Sequence, residues 1–515
     1  MKKIDSIISL IYSLSKSEKK HLSLHIVKGN EDKDFQLIYN IIVNDKVQDG
    51  NVVKDEFRKR RPNSSFEISV QYLYEKLLDA LLMLRKNKDV YYDLYQNISK
   101  ARMLYERSAF HECFEILETT IKQAEFYESH EILLIATKLE LEYLLRLNFP
   151  DISEQELYHR HFMQNDALKK IRKITEQGAL FNLLKYRLTH KGFIRTEKQK
   201  QDMNDLMVNE LYIAASTEPN HNFEITKNHK LFQANYLTSV GDYRAALNSF
   251  KELNKLFEEN PQFWANPPIY YLSVLEGVLD SLRSVGDYNE MPYFMQKVEQ
   301  LAESSSFEFK TNTICVLFQY ELFPYLDKGD FSNCNKIIEK YQVPLLEKES
   351  WLSPVRKSEL FLYTAIVSIG NENYQMAKKH INRITLDHNI DYLPLMRTIR
   401  LIRLIAYYET NEFDLINYES RSIKRGMSLK KEKSFKTEHT ILWFLNKRDL
   451  PILRKDKEIM YQKLLPTIQS LHEDKYENQL LRIFDFTAWM ESKILKENLS
   501  EILLVHAEAR YQRFR

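Results

Sequence analysis

Apolar residues recur along this chain at three- and four-residue steps. From Tyr243 they fall at Ala246, Leu247, Phe250, Leu253, Leu256 and Phe257, one stripe of a helix buried on one side. Strand-like alternation bounded by turns is hard to find over any comparable stretch. Helix starts are marked as well. Ser353 precedes Pro354, whose missing N–H costs nothing in a first turn, and Asn498 and Ser500 stand before EILLVHAEARYQ in the same way. The pattern predicts an all-α chain.

Five segments share a short turn, an aromatic residue and an apolar helix behind it: GDYRAALNSF, GDYNEMPYFM, GDFSNCNKII, ENYQMAKKHI and NEFDLINYES. Their aromatic anchors, Tyr243, Tyr288, Phe331, Tyr374 and Phe413, follow one another at 45, 43, 43 and 39 residues. A period in this range predicts stacked units that cannot bury their apolar faces alone. A related turn, SAFHECFEIL, brings Phe110 to the same place, and degenerate units are expected between it and Tyr243. The physics is local. A glycine or asparagine takes positive φ where the first helix ends, and the aromatic two residues on begins the second helix. A small residue three further permits close approach of the helices. Cys113 and Cys334 occupy that small site, which predicts compact core thiols rather than reactive ones.

The motif G-D-Y-x-x-A-x-x-x-F resembles the inter-helix turn and second helix of a tetratricopeptide repeat, matched in full by Gly241, Asp242, Tyr243, Ala246 and Phe250. The period exceeds that family's 34 residues and is similar to the long-helix versions of some bacterial regulatory proteins. The opening SLSKSEKK and the later FDFTAWMESK resemble a family of bacterial helical-repeat proteins, a resemblance that brings no activity with it. The implied fold is a right-handed α–α solenoid of antiparallel helix pairs with helical caps at both ends. Its expected parts are an N-terminal cap over 1–100, an array over 101–425 with its clearest units at 225–425, and a C-terminal cap over 426–515. The resemblance also implies a concave groove lined by first-helix residues, here Asn228, Leu231, Asn235, Thr238, Glu276, Asp280, Arg283, Gln319 and Phe323. Pro324 falls inside such a helix and is expected to kink it.

Composition narrows the chemistry. Ten glycines in 515 residues, none closer together than Gly277 and Gly286, exclude a glycine-rich phosphate loop. Three cysteines with no C-x-x-C pair argue against a disulfide framework and against a structural zinc site. Asp5 interrupts the apolar opening that would otherwise read as a leader, and no apolar run is long enough to span a membrane, so a cytoplasmic location is expected. The near balance of 74 basic against 72 acidic residues hides a gradient: net +4 over 1–100, −9 over 101–420 and +7 over 421–515.

The densest basic run, Arg421, Lys424, Arg425, Lys430, Lys431, Lys433 and Lys436, is the main candidate for a nucleic-acid contact, with Arg58–Arg61 second. His21 and His25 share a helix face but lack a third ligand nearby, and the imidazoles of His159 and His161 diverge on a helix, so no metal or cofactor is expected. The reading that follows is a non-catalytic protein–protein interaction scaffold taking a peptide or partner helix on its concave face. The alternative is a repeat-type regulator whose basic end touches nucleic acid; an enzyme with an unrecognised site stands third.

Overall fold

The structure is a computed structural model of the chain. It describes every residue except 1–2, 27–32, 87–88, 151, 192–193, 216–221, 265–267, 304–306, 386–394, 430–435, 448–449 and 515. Among the described residues there are 26 α-helices, two short 3-10 turns and no strand. Among the described residues no helix is long and apolar enough to cross a membrane. Two compact units are seen, Met1–Ile171 with Ser305–Phe309, and Arg172–Ser304 with Lys310–Arg515.

In the first unit, the helices Lys3–Ser13, Lys16–Ile26, Asp34–Val43, Gly50–Arg60 and Phe66–Arg85 close on a core that includes Ile7, Ile11, Ile38, Phe57 and Leu73. Ser15 starts the second of these helices: its hydroxyl accepts from the Glu18 N–H while the Glu18 carboxylate takes the Ser15 N–H, a reciprocal cap. The basic residues after Phe57 are largely neutralised locally. Lys59 pairs with Glu56 at 2.7 Å, Arg60 with Asp45 at 2.8 Å and Arg61 with Asp34 at 3.7 Å. Beyond them the helices Val90–Glu106, Phe110–Phe126 and His130–Arg146 pack as successive neighbours. Glu154–Lys191 is then a single helix of 38 residues, so no short paired unit interrupts that stretch.

The expected turn is visible in the backbone. Gly241, Gly329, Glu372 and Asn411 each hold φ between 58° and 78°, two residues before the helix that starts at Tyr243, Phe331, Tyr374 or Phe413. In each case the next N–H reaches back five residues, as from Asp242 to the Leu237 carbonyl at 3.0 Å and from Asp330 to that of Tyr325 at 2.9 Å. That closing bond satisfies a carbonyl left over at the end of the first helix. Ser108 and Glu128 in the first unit make the same turn. The residue after the positive-φ position then caps the second helix: Asp242 accepts from the Ala245 N–H, Asp330 from Asn333 and Asn373 from Met376.

One anchor departs from the pattern. Tyr288 follows Gly286 at φ 78° but does not begin a helix; the helix runs Met291–Glu303. Pro292 is the reason. A start at Tyr288 would put proline beyond the first turn, where it removes a hydrogen bond and clashes with the preceding turn, whereas a start at Met291 leaves it in the first turn. The other expected feature, Pro324, lies in the last turn of Phe307–Leu326, and the helix continues through it.

The second unit repeats one further contact. The Tyr288 hydroxyl donates to Asp327 at 2.5 Å, and the Tyr374 hydroxyl bonds Glu409. Asp327 and Glu409 both stand four residues before the next anchor, Phe331 and Phe413. Tyr374 thus ties the start of one second helix, and Tyr288 the turn before another, to the end of the following first helix. Small residues let the helices meet: Phe250 and Phe331 lie on the bare backbone of Gly277 and Gly370. Ala246, Cys334 and Ala377 are fully buried at the small site, and burial pushes the Cys334 thiol up to about 12.

The C-terminal stretch packs back on earlier helices of the second unit. Gln479 Nε2 donates to the Ser239 and Ile194 carbonyls, Arg482 pairs with Asp280 at 2.9 Å, and Lys475 pairs with Glu197 at 2.8 Å. Asp485 caps Phe486–Leu495, from which Trp489 Nε1 and Lys493 Nζ both reach Glu409. FDFTAWMESK is therefore a fastening: a capping aspartate, then an indole and an ammonium one turn apart on the same repeat carboxylate.

Candidate functional site

The helices Phe223–Ser239, Ile269–Val285, Phe307–Leu326 and Pro354–Gly370 bring one face each to a cavity of about 540 Å³ within the second unit. Of the nine groove positions read from the repeat, seven line it: Leu231, Asn235, Thr238, Glu276, Asp280, Gln319 and Phe323. Asn228 is half-buried on the first of these helices and is not among the lining residues.

Arg283 is elsewhere, and its role is structural. It is 5% exposed, pairs with Asp327 through Nε at 2.9 Å and Nη2 at 2.7 Å, and donates from Nη2 to the Arg482 carbonyl at 2.7 Å. Its guanidinium lies 3.6 Å from the centre of the Phe323 ring. A helix position gives a direction but not a partner, and here Asp327 and the C-terminal stretch close over the side chain.

The cavity holds residues that the repeat pattern did not single out. Lys185 enters from the long helix, with Nζ 2.6 Å from Asn235 Oδ1. Solvent reaches this ammonium, yet the surrounding protein lowers its pKa. On the opposite wall Arg356 grips both oxygens of Glu276 and lies 3.1 Å from Glu359, which also accepts from Gln319 Nε2 at 3.1 Å. Burial raises the pKa of Glu359, opposed by Arg356. Asp280 is matched by Arg482. The three lining carboxylates, Glu276, Glu359 and Asp280, are thus each matched by an arginine. Phe181, Phe250, Tyr270, Tyr320, Phe323 and Tyr363 supply aromatic faces and edges between the paired charges.

The serine and threonine hydroxyls in this lining are engaged with their own helices, and that of Tyr320 donates to the Glu276 carbonyl at 3.3 Å. Thr238 donates to the Ala234 carbonyl, Ser273 to that of Ile269 and Ser358 to that of Val355. A hydroxyl so bonded is held by a carbonyl and not by a base that would take its proton. The lining thus presents amide and carboxylate edges beside ring surfaces.

Other candidates fare differently. Arg421, Lys424 and Arg425 are exposed along Phe413–Leu429, while Lys436 pairs with Asp474 at 3.1 Å. Lys430, Lys431 and Lys433 lie outside the described residues, so the basic run is only partly seen. His159 and His161 are both exposed, and the side chain of His25 lies outside the described residues. Cys113, Cys315 and Cys334 are all buried free thiols.

Comparison with family profiles, with curated proteins and with solved structures finds no match.

Proposed function

We propose that this chain is a tetratricopeptide-like interaction protein, a non-catalytic scaffold whose second unit is a curved stack of helix pairs and whose ligand is an extended peptide held in the 540 Å³ cavity. The observation that carries the reading is the gathering of seven first-helix positions, at one repeat spacing or a turn apart, around an aromatic-rich cavity whose carboxylates are already paired. An extended peptide suits such a lining because its backbone amides are neutral donors and acceptors and its side chains find ring surfaces in turn. The recurring tyrosine-to-carboxylate ties and positive-φ turns support a repeated stack around it.

The test is selection of a random-peptide display library on the immobilised full chain, followed by titration of the enriched peptides. Asn235→Ala and Ser273→Trp, the second filling the cavity from an exposed helix position, are expected to weaken binding at least tenfold without altering the helical spectrum. Peptides that bind both variants as tightly as the parent would refute the assignment. Arg283 is not a suitable probe, since replacing it strips the largely buried Asp327 carboxylate of its cation.

A further inference from the structure

A second constellation lies apart from the cavity, in the C-terminal stretch. His472 is in the last turn of Arg454–Glu473, Asp485 immediately precedes Phe486–Leu495, and His506 is on Leu499–Phe514. One donor atom from each lies within 4.8 Å of the others. Asp485 Oδ2 is 3.0 Å from His506 Nδ1 and 3.8 Å from His472 Nε2. A tetrahedral zinc with bonds of about 2.0–2.1 Å sets its ligand atoms roughly 3.3 Å apart, and these two separations bracket that value.

His472 Nε2 lies 2.9 Å from the Thr487 hydroxyl, a bond that an ion would replace, and the other surroundings suit a metal site. His506 presents its other nitrogen, Nε2, to Glu491 Oε2 at 3.1 Å, the carboxylate–histidine arrangement that orients a ligating ring. Asp485 Oδ1 is committed to the Thr487 and Ala488 N–H groups at 3.1 Å each and to the Thr487 hydroxyl at 2.5 Å, which fixes the carboxylate with Oδ2 toward the two imidazoles. His472, Glu491 and His506 also line a cavity of about 640 Å³, which gives an ion a route in. Two imidazoles and one carboxylate, with no thiolate, form a borderline-hard set suited to zinc with one position left for water.

We propose that His472, Asp485 and His506 bind one zinc ion, with Glu491 orienting His506, so that the ion joins three segments of the C-terminal stretch. The same groups have a metal-free alternative, in which a protonated His506 bridges Asp485 and Glu491 and Arg510 stands 3.5 Å from Asp485 Oδ2. Arg510 separates the two. Removing its positive charge relieves repulsion of a bound cation but weakens a metal-free network.

The experiment uses the full chain without a polyhistidine tag, stripped by a chelator, dialysed and titrated with zinc chloride against a chromophoric competitor. Expected are one zinc per chain, a rise in melting temperature on binding, and an X-ray absorption edge fitted by two imidazoles and oxygen. His472→Gln and Glu491→Gln are expected to weaken zinc at least tenfold, and Arg510→Gln to bind it at least as tightly as the parent. Circular dichroism checks that each variant folds; where one does not, the parent's stoichiometry and absorption edge decide. Failure of the folded parent to take up zinc would overturn the proposal in favour of a proton-bridged carboxylate pair only. Equal retention by His472→Gln, or weaker binding by Arg510→Gln, would overturn it as well.

Discussion

Gly277→Ala sets two effects against each other. In an exposed helix interior the change gains about 1 kcal/mol, because alanine loses less backbone freedom than glycine. At Gly277 the added Cβ would fall 2.3 Å from Cε1 and 2.4 Å from Cζ of Phe250. Carbon atoms rest about 3.5–4.0 Å apart, so the ring would have to retreat by more than about 1 Å. Phe250 is 5% exposed and belongs to the adjacent helix, so the retreat pushes two helices apart. Overpacking of this kind costs about 1–3 kcal/mol, and the severity of the overlap argues for the upper end. We expect a net loss of about 2 kcal/mol. Gly178 is the control: it lies inside Glu154–Lys191 and a Cβ there meets nothing within 4 Å, so Gly178→Ala should stabilise by up to about 1 kcal/mol. Urea unfolding followed by far-UV circular dichroism compares the two. Adding Phe250→Leu to Gly277→Ala should recover part of the loss, a coupling that two independent sites would not show. If Gly277→Ala is as stable as the parent or rises with Gly178→Ala, the ring does not rest on that backbone and the helix-pair packing is wrong.

Arg283→Ala should cost about 3–5 kcal/mol in the same assay, because Asp327 is left buried without its cation and Phe323 without its stacking partner. Pairing it with Asp327→Leu should recover much of that loss; a double variant as unstable as the sum of the singles would refute the pair. His130 concerns the first unit. Burial, helped by Lys170, holds its pKa at about 4, against 6.5 in an open chain. The unfolded state therefore binds a proton that the folded state refuses, and the stability present above pH 6.5 is lost as pH falls toward 4. The shift corresponds to about 3 kcal/mol. His130→Leu should flatten that part of the stability profile, and an unchanged slope would contradict the burial argument.

Helix, turn and anchor were legible because each is written locally. An aromatic two residues after a glycine, asparagine or glutamate, with an apolar stripe behind it, needs no distant information. Tyr288 departs from the motif because Pro292 moves the helix start to Met291, a constraint that the turn residues alone do not carry. Arg283 was assigned to the groove because its helix position points there, but its partners, Asp327 and the Arg482 carbonyl, lie 44 and 199 residues away. Lys185, Arg356 and Glu359 were invisible for a related reason. A charged residue on an amphipathic helix looks the same whether it meets water or a second wall, and only the packing of four helices decides. The repeat carboxylates Asp327 and Glu409 did leave a signal, an acid four residues before an aromatic anchor, but it becomes legible only once the tyrosine contact is known.

Close packing accounts for two of the turns that keep glycine, at Gly241 and Gly329. All the anchor turns need positive φ, yet Glu372 and Asn411 supply it at exposed turns. At Gly241 and Gly329 the C-terminal stretch comes close: a Cβ on Gly241 would meet the Lys475 carbonyl oxygen at 3.3 Å, and one on Gly329 would meet the Ser500 Cα at 2.8 Å. Backbone conformation and close approach can be separated, because asparagine tolerates positive φ but carries a Cβ. Gly241→Asn asks a neighbour to yield by a few tenths of an ångström, whereas Gly329→Asn drives a side chain into backbone that has no flexible end to move. We expect Gly329→Asn to cost at least 1–3 kcal/mol by overpacking and Gly241→Asn clearly less. Exchange of backbone amides in Leu499–Phe514 should quicken in the first variant and not in the second. Equal stability of both would mean that these glycines serve the turn alone, and that the last helix does not press on the repeats as the structure has it.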